Sequence, residues 1–317
     1  MVVIVQVVSD RRTLSVINSF LDQVSECTLR RPPHFSHVTK IHDPMRLVVL
    51  GLVGSLLGVA AERQCSLKDV GNTPFGPYEL SDCTKLDLTA RSLGDFGAKA
   101  LAEALKKPNK LKSLDLYFNY IRDEGAIAIA DALAAHKTLV NLTMESNNIG
   151  DEGATAFGEL LQTNTVLQNL FLKHNIIGSL GASGLAEGLK QNQVLRTLYL
   201  RRNQVGDEGA SALAEVLPST QIRWLNLRRN HVGDKGATDL AAAASRSPNL
   251  RRLDLRYNHY TSTGKDALDK VKTKALKVDS TETEKLNKGL KDLLASKGGK
   301  RTIMKVNRGK REGAGAF

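Results

Sequence analysis

The sequence predicts an α/β solenoid with parallel inner strands and outer helices, and three observations support this prediction. An apolar residue opens a recurring pattern every 28 residues, with one step of 27. Each copy begins with a pattern close to Leu-x-x-Leu-x-Leu, whose final alternation is typical of a short strand with one buried face. Each copy then continues with alanine and leucine at helical spacing, as in Ala212–Leu217. A period of this length marks a stacked array in which every unit buries its core against its neighbours.

The opening residue of each copy gives the number of units, which is about seven repeats of 28 residues. Its positions are Cys83, Leu111, Leu139, Leu167, Leu195, Ile222 and Leu250. The single step of 27 lies between Leu195 and Ile222. We assign residues 83–272 to the repeat domain and residues 62–82 to an N-terminal cap.

An asparagine recurs just beyond each strand from the second copy onward. It occurs at Asn119, Asn147, Asn175, Asn203, Asn230 and Asn258, and the first copy has Arg91 there. A buried amide at a turn can both donate and accept. We therefore expect the asparagines to satisfy backbone groups along a column of chain reversals.

Two further columns mark the start of each helix. The first is Asp95, Asp123, Asp151, Ser179, Asp207, Asp234 and Ser262. We expect each member to be the N-cap residue of its helix, because its side-chain oxygen can accept from free backbone N–H groups. The second is Gly97, Gly125, Gly153, Gly181, Gly209, Gly236 and Gly264. There the missing side chain is expected to let helix and strand approach closely.

These repeats resemble the ribonuclease-inhibitor subfamily of leucine-rich repeats, over roughly Cys83 to Val271 and about 60% of the chain. The resemblance implies a leucine-rich-repeat solenoid shaped as a curved horseshoe, with a binding function. Extracellular proteins of this kind often close the N-terminal end with a disulfide, which here would join Cys65 and Cys83. A buried free thiol at Cys83 is the alternative, because its column is otherwise apolar.

The residues before the repeats predict a secretory signal. Residues 1–44 show no period and form an extension of unassigned character. Residues 45–61 have a short basic start, an apolar run and small residues before Glu62, which is the pattern of a signal peptide beginning at Met45. If translation starts at Met45, residues 1–44 are not translated and the protein is secreted without a membrane span. Otherwise residues 45–61 form an internal apolar helix of a cytoplasmic protein.

The C-terminal part predicts a cap and a basic tail. Leu276–Val278 fits a last edge strand, and a helix starting at Thr281 completes a C-terminal cap over residues 273–296. Residues 297–317 read as a disordered basic tail. Residues 265–317 hold 15 Lys/Arg and 7 Asp/Glu, so 15 − 7 = +8 of the net +12 lies there. Such a charge favours anionic partners.

The sequence predicts a non-enzyme without metal or cofactor. The metal candidates are Cys27, His34, His37 and His42, and their spacing fits no common zinc pattern. His174 lies in one column of the repeats, with His231 and His259 in another. Neither set is expected to have a Ser, Cys or paired carboxylate beside it. No phosphate-loop or Gly-x-Ser-x-Gly pattern is present.

The solvent-facing strand columns predict a binding surface in the C-terminal half of the concave face. It comprises Phe171, Lys173, Tyr199, Arg201, Arg202, Trp224, Arg228, Arg229, Arg252, Arg256 and Tyr257. Solvated charge is one interpretation. Binding is the other, because stacked arginines repel one another and Arg with Tyr and Trp is the composition of interface hot spots. Arg also binds carboxylate and phosphate groups in a bidentate manner.

Three functions follow from this surface. The first is a protein-interaction scaffold that binds an acidic protein surface. The second is a GTPase-activating regulator, because the repeats look like those of the Ran GTPase-activating protein, although that family's acidic C-terminal extension is absent. The third is binding of nucleic acid or ribonucleoprotein through the arginines and the tail, with a steep salt dependence.

Overall fold

The computed structural model describes residues 62–71, 73–273 and 276–280 of the 317-residue chain. Several predictions concern residues outside these ranges: the extension 1–44 with its metal candidates, the signal peptide 45–61, the helix starting at Thr281 and the tail 297–317. The predicted last edge strand lies within the described part and is confirmed as Lys277–Asp279.

Among the described residues, nine short strands form one parallel sheet in chain order. They are β1 Gln64–Ser66, β2 Lys85–Asp87, β3 Ser113–Asp115, β4 Asn141–Thr143, β5 Asn169–Phe171, β6 Thr197–Tyr199, β7 Trp224–Asn226, β8 Arg252–Asp254 and β9 Lys277–Asp279. The register places each central leucine beside the next, as in Leu114 opposite Leu142. The sheet is unclosed, and with its helices it forms the predicted α/β solenoid.

A helix follows each strand from β1 to β8. The helices are α1 Leu67–Val70, α2 Gly94–Leu105, α3 Asp123–Ala134, α4 Asp151–Thr163, α5 Ser179–Leu189, α6 Gly206–Val216, α7 Asp234–Arg246 and α8 Ser262–Lys270. After α6 the chain continues as a 3₁₀ turn over Leu217–Ser219. This turn contains Pro218, which has no N–H to continue an α-helix, and it lies within the single 27-residue step.

The leucine columns form one continuous core between the sheet and the helices. The strand residues Leu114, Leu142, Leu170 and Leu198 are fully buried, and so are the helix residues Leu101 and Ile129. Each unit therefore buries its apolar face against the units before and after it, as the period predicts.

The recurring asparagines do satisfy backbone groups of the turns, as expected, and we call this column of hydrogen bonds the asparagine ladder. Asn147 Nδ2 donates to the carbonyl oxygens of Leu116 and Met144 at 2.9 and 3.1 Å. Its Oδ1 accepts from the backbone N–H groups of Asn119 and Ile121 at 3.0 and 3.1 Å. One buried amide thus satisfies backbone groups of two consecutive repeats.

The aspartate column caps helices, but the prediction named the wrong ones. Asp123 Oδ1 accepts from the backbone N–H groups of Gly150 and Gly153 at 2.7 and 2.9 Å, at the start of the following helix. The same pattern joins Asp151 to Gly178 and Gly181. Each aspartate already lies inside the first turn of its own helix, so its carboxylate reaches the helix start of the next repeat.

The glycine column also acts between repeats, and this corrects the expected approach of helix and strand. A β-carbon at Gly125 would lie 2.8 Å from Asp95 Oδ1 and 2.9 Å from the β-carbon of Ala98. Both belong to α2, the preceding helix. The missing side chain therefore lets consecutive helices pack closely and leaves room for the capping carboxylate.

At the N-terminal end, Cys65 and Cys83 form a disulfide with their α-carbons 5.8 Å apart. Both residues are buried, and the bond links β1 to the first repeat. In the same N-terminal region, Tyr78 is buried and its hydroxyl donates to the carbonyl oxygen of Pro74.

Candidate protein-binding surface on the concave face

The predicted surface residues lie on the strands or in the turns directly after them. Phe171, Tyr199, Trp224 and Arg252 belong to β5, β6, β7 and β8. The others follow the strands in the turns: Lys173, Arg201, Arg202, Arg228, Arg229, Arg256 and Tyr257. Because strand residues alternate between the two faces of a sheet, the side chains flanking each buried leucine point to the side opposite the helices.

Three aromatic rings form a continuous row across adjacent strands. The ring centroids of Phe171 and Tyr199 are 5.0 Å apart with an interplanar angle of 87°. Those of Tyr199 and Trp224 are 4.7 Å apart at 69°. The guanidinium carbon of Arg252 lies 4.7 Å from the Trp224 ring centre, within the range of a cation–π contact. Burial in this row raises the pKa of Tyr199.

Three of the predicted cations have carboxylate partners within the protein. Lys173 Nζ lies 2.9 Å from Glu145 Oε2. Arg256 makes a bidentate contact with Asp254, at 3.0 Å from Nε to Oδ1 and 2.8 Å from Nη2 to Oδ2. Arg252 Nε lies 3.1 Å from Asp279 Oδ2. Their charge is therefore largely neutralised where they stand.

The remaining four cations form a compact group, which we call the arginine zone: Arg201, Arg202, Arg228 and Arg229. The guanidinium carbons of Arg228 and Arg229 lie 4.5 and 4.8 Å from the ring centre of Tyr257. Arg201, Arg202 and Arg229 have no carboxylate partner among the described residues. Burial lowers the pKa of Arg201, and the charges of Arg228, Arg202 and Arg229 lower it further.

Two donors, one within this zone and one on the neighbouring tryptophan, are buried without a hydrogen-bond partner in the part of the chain that the structure describes. They are Arg201 Nε and Trp224 Nε1. A buried donor without an acceptor costs about 1–3 kcal/mol. Both belong to predicted surface residues, so an acceptor supplied by a ligand would remove this cost once the side chains that cover the two nitrogen atoms move aside.

The other end of the concave face carries a feature that the sequence reasoning missed. Asp87 and Asp115 lie side by side in β2 and β3. Tyr117, Phe118 and Tyr120 follow in the next turn and are 37%, 44% and 53% exposed. We call these five residues the aspartate zone. The signal was present in the same columns that hold the arginines, where the residue types change from basic to acidic toward the N-terminus.

The histidines are placed as expected, with one correction. His231 and His259 stack at the exposed edge of the turns, with ring centroids 5.1 Å apart. His174, in contrast, does have a serine beside it, since Ser146 Oγ lies 3.2 Å from His174 Nδ1. Equivalent positions of consecutive repeats are neighbours, and Ser146 precedes His174 by 28 residues. In a catalytic triad a third group orients the base, and the described side-chain hydrogen bonds place none on His174.

Two other kinds of feature are absent from the described residues. No group of three or more His, Cys, Asp or Glu side chains there could hold a metal ion. Among the same residues, no helix combines the length and the apolar character needed to cross a membrane.

The geometry defines a leucine-rich-repeat solenoid with a charged, aromatic concave face. Four segments match the family model described as Leucine Rich repeat: residues 107–130, 135–158, 191–214 and 221–241. The chain therefore carries leucine-rich repeats. Such repeats typically build non-enzymatic scaffolds that bind protein partners on an extended concave surface. Comparison with curated proteins gives no match for the chain.

Several solved structures are similar to the chain at low identity. One is titled Leiomodin-1 actin-binding site 2, with 16% identity, 54% of this chain and 84% of that chain covered, and a TM-score of 0.37. A TDR receptor has 14% identity, coverage of 62% and 42%, and a TM-score of 0.34. The internalin inlF from Listeria monocytogenes has 18% identity, coverage of 63% and 61%, and a TM-score of 0.37. The chain thus spans less than two thirds of the receptor and of the internalin.

Proposed function

We propose that the protein is a non-enzymatic interaction scaffold that binds an acidic protein surface on the arginine zone. The observation that supports this most strongly is the combination of clustered guanidinium groups and buried donors without acceptors. Arg201 shows both, since burial and the neighbouring cations lower its pKa and its Nε has no hydrogen-bond partner among the described residues. A carboxylate at this point would relieve the repulsion and satisfy the donor.

The surrounding residues favour binding over solvated charge. An exposed arginine with no role is free to extend into water, whereas Arg228 and Arg229 are stacked on Tyr257. Because the guanidinium groups already have a preferred position on the ring, binding of a ligand costs them little further side-chain entropy. Tyr199 and Trp224 supply the aromatic surface that interface hot spots typically contain.

Titration of fluorescein-labelled hexaglutamate into the full chain, followed by anisotropy, tests this proposal. The double variant R201E/R228E should weaken binding by at least about tenfold, because it reverses two charges at the centre of the zone. R122E/R246E is the matched control, since it makes the same change in net charge at two exposed arginines, one immediately before α3 and one at the end of α7. Equal weakening in R122E/R246E, or no weakening in R201E/R228E, contradicts the proposal. Residues 297–317 are also basic, so only the difference between the variants is informative.

The same assay distinguishes binding of an acidic protein surface from binding of nucleic acid. Binding of nucleic acid falls steeply with salt because counterions are released from the phosphates. If single-stranded oligothymidylate binds more tightly than hexaglutamate and R201E/R228E lowers the slope of its salt dependence, the zone is a nucleic-acid site. We expect the opposite order, because the aromatic rings of β5 to β7 contact one another and leave no open stack for bases.

We further propose that the repeats belong to the ribonuclease-inhibitor-like subfamily and that the protein is secreted. A helix in each repeat and the 28-residue period support the subfamily. The signal-peptide pattern of residues 45–61 and the Cys65–Cys83 disulfide support secretion, since disulfides persist in oxidising compartments. The N-terminal residue of the protein from its own source tests this: Glu62 in the secreted fraction is expected, and Met1 in the cytosol contradicts it.

A further inference from the structure

The two aspartates of the aspartate zone are not neutralised by the described part of the protein. Asp87 Oδ1 and Asp115 Oδ1 each accept one backbone N–H, from Thr89 and Tyr117, both at 2.9 Å. Neither forms an ion pair within residues 62–71, 73–273 and 276–280. Lys85, on the same face two residues before Asp87, pairs instead with Glu62.

The position of Asp115 makes its charge costly. Burial raises the pKa of the Asp115 carboxyl, and the charges of Asp87 and Glu145 act in the same direction. A half-buried carboxylate beside a second one is relieved by a cation and made worse by an anion or an apolar group.

The aromatic residues next to these carboxylates are held outward. The ring centroids of Phe118 and Tyr120 are 5.3 Å apart, and those of Tyr117 and Phe118 are 6.1 Å apart. Tyr120 has a φ of 58°, a left-handed conformation that costs a non-glycine residue about 1 kcal/mol or more. Among the described residues its equivalents in the later repeats, such as Asn148 and Ile176, do not share this conformation. Ser92, the equivalent residue of the preceding repeat, has a φ of 54°, so this conformation belongs to the turns of the first two repeats.

We propose that the aspartate zone is a second contact surface, which binds a lysine- or arginine-bearing segment of a protein partner. Carboxylates and exposed aromatic rings side by side suit a cationic side chain, since the rings attract its charge and the carboxylates pair with it. An apolar segment would leave two carboxylates unpaired at the interface, and an acidic one would be repelled.

A partner that spans the concave face contacts both zones, and the two zones together determine its orientation. This part of the inference rests on the proposed function. Four strand steps separate β2 and β3 from β6 and β7, which corresponds to about 19 Å. Such a partner presents a cationic group and an acidic patch at about this separation, and the charges allow only one orientation.

Fluorine NMR of the full chain labelled with fluorotyrosine tests both zones at once. The six tyrosines divide evenly among three environments. Tyr117 and Tyr120 belong to the aspartate zone, Tyr199 and Tyr257 lie at the arginine zone, and Tyr78 and Tyr260 are buried elsewhere. Hexaarginine should shift the Tyr117 and Tyr120 signals, and hexaglutamate those of Tyr199 and Tyr257. The buried pair should stay in place.

Charge variants decide whether the shift has the proposed cause. D87N/D115N should weaken the hexaarginine effect by about tenfold and leave the hexaglutamate effect unchanged. D131N is the control, since Asp131 is an exposed carboxylate on α3. Phe118→Ser should also weaken the effect, because it removes an exposed ring. An absent hexaarginine effect, or one that D87N/D115N and D131N change equally, overturns the proposal.

The two proposals fail independently in this experiment. If hexaglutamate moves no signal while hexaarginine does, the arginine zone is not an acidic-partner site and the aspartate zone stands. A further outcome concerns the basic residues 297–311 of this chain. If replacing their lysines and arginines with serine moves the Tyr117 and Tyr120 signals without any probe, the occupant is a segment of this chain. That result overturns the assignment to a separate partner.

Discussion

Tyr199 and Trp224 meet edge to face on adjacent strands, with ring centroids 4.7 Å apart and the indole Nε1 buried without a described acceptor. A core pair would keep its polar atom satisfied or outside. This pair instead holds the unsatisfied Trp224 Nε1 donor beside the clustered arginines. The relationship links packing to recognition, because the rings fix the indole and its buried N–H is not used by the described part of the fold.

Trp224→Phe should therefore separate binding from stability. Phenylalanine supplies a smaller aromatic ring and removes the unsatisfied donor, and because these two effects oppose each other we expect the free energy of unfolding to change by less than about 1 kcal/mol. Affinity for hexaglutamate should fall by about 2–10-fold, because one hydrogen bond to the ligand is lost. Urea unfolding and the anisotropy titration measure the two quantities. Tyr199→Phe, which keeps the indole, is the control, and unchanged affinity in W224F would show that Nε1 does not contact the ligand.

Asn147→Ala should destabilise the protein by about 3 kcal/mol, because the buried N–H groups of Asn119 and Ile121 lose their acceptor. Asn148→Ala tests the same chemical change at the next residue, which is exposed. We expect that variant to lie within about 0.5 kcal/mol of the wild type in urea unfolding. Similar losses in both variants would contradict the ladder as a source of stability.

Asp123→Ala should cost about 1–2 kcal/mol through the helix that follows in the next repeat. Amide hydrogen exchange can locate the effect, since protection should fall at Gly150 and Gly153, which donate to Asp123. Asp131→Ala, on the same helix but exposed, should leave both stability and exchange unchanged. Loss of protection at the start of α3 itself would instead restore the interpretation of Asp123 as the cap of its own helix.

Asp115→Asn should raise stability at neutral pH. The folded state holds the Asp115 proton more tightly than the unfolded chain does, because burial, Asp87 and Glu145 raise its pKa. The charged carboxylate therefore costs stability above that pKa, and the cost disappears as the pH falls through it. Unfolding curves of D115N and wild type should differ at neutral pH and converge in acid. A D115N variant that is less stable at neutral pH would show that the carboxylate is satisfied in the folded state.

The sequence was sufficient for the strand order, the helices and the asparagine ladder. These features repeat with the period, so every copy gives the same information about its own strand and helix. The period could not show whether a side chain forms its hydrogen bonds within its own repeat or with the next one. Asp123 reads as a cap within its own repeat, but the helix start that it reaches belongs to the next one.

The residue types of the surface were predictable from the sequence, but the ion pairs that its cations form were less predictable. The columns placed Tyr199, Trp224 and the arginines on one face, but whether a cation is neutralised depends on side-chain reach. Arg256 and Asp254 are two residues apart and share a face, so their ion pair could have been expected. The contact of Arg252 with Asp279 could not, because Asp279 lies on a strand outside the repeats.

Photo-crosslinking at the concave face tests the central claim most directly. Arg223, exposed immediately before Trp224, is replaced by benzoylphenylalanine in the full chain, and Asp131 is replaced in a parallel sample. In extracts of the protein's own source, position 223 should capture a partner through an acidic segment, and R201E/R228E should abolish this crosslink. Capture of the same partner from position 131, or an unchanged crosslink in R201E/R228E, would contradict recognition by the arginine zone.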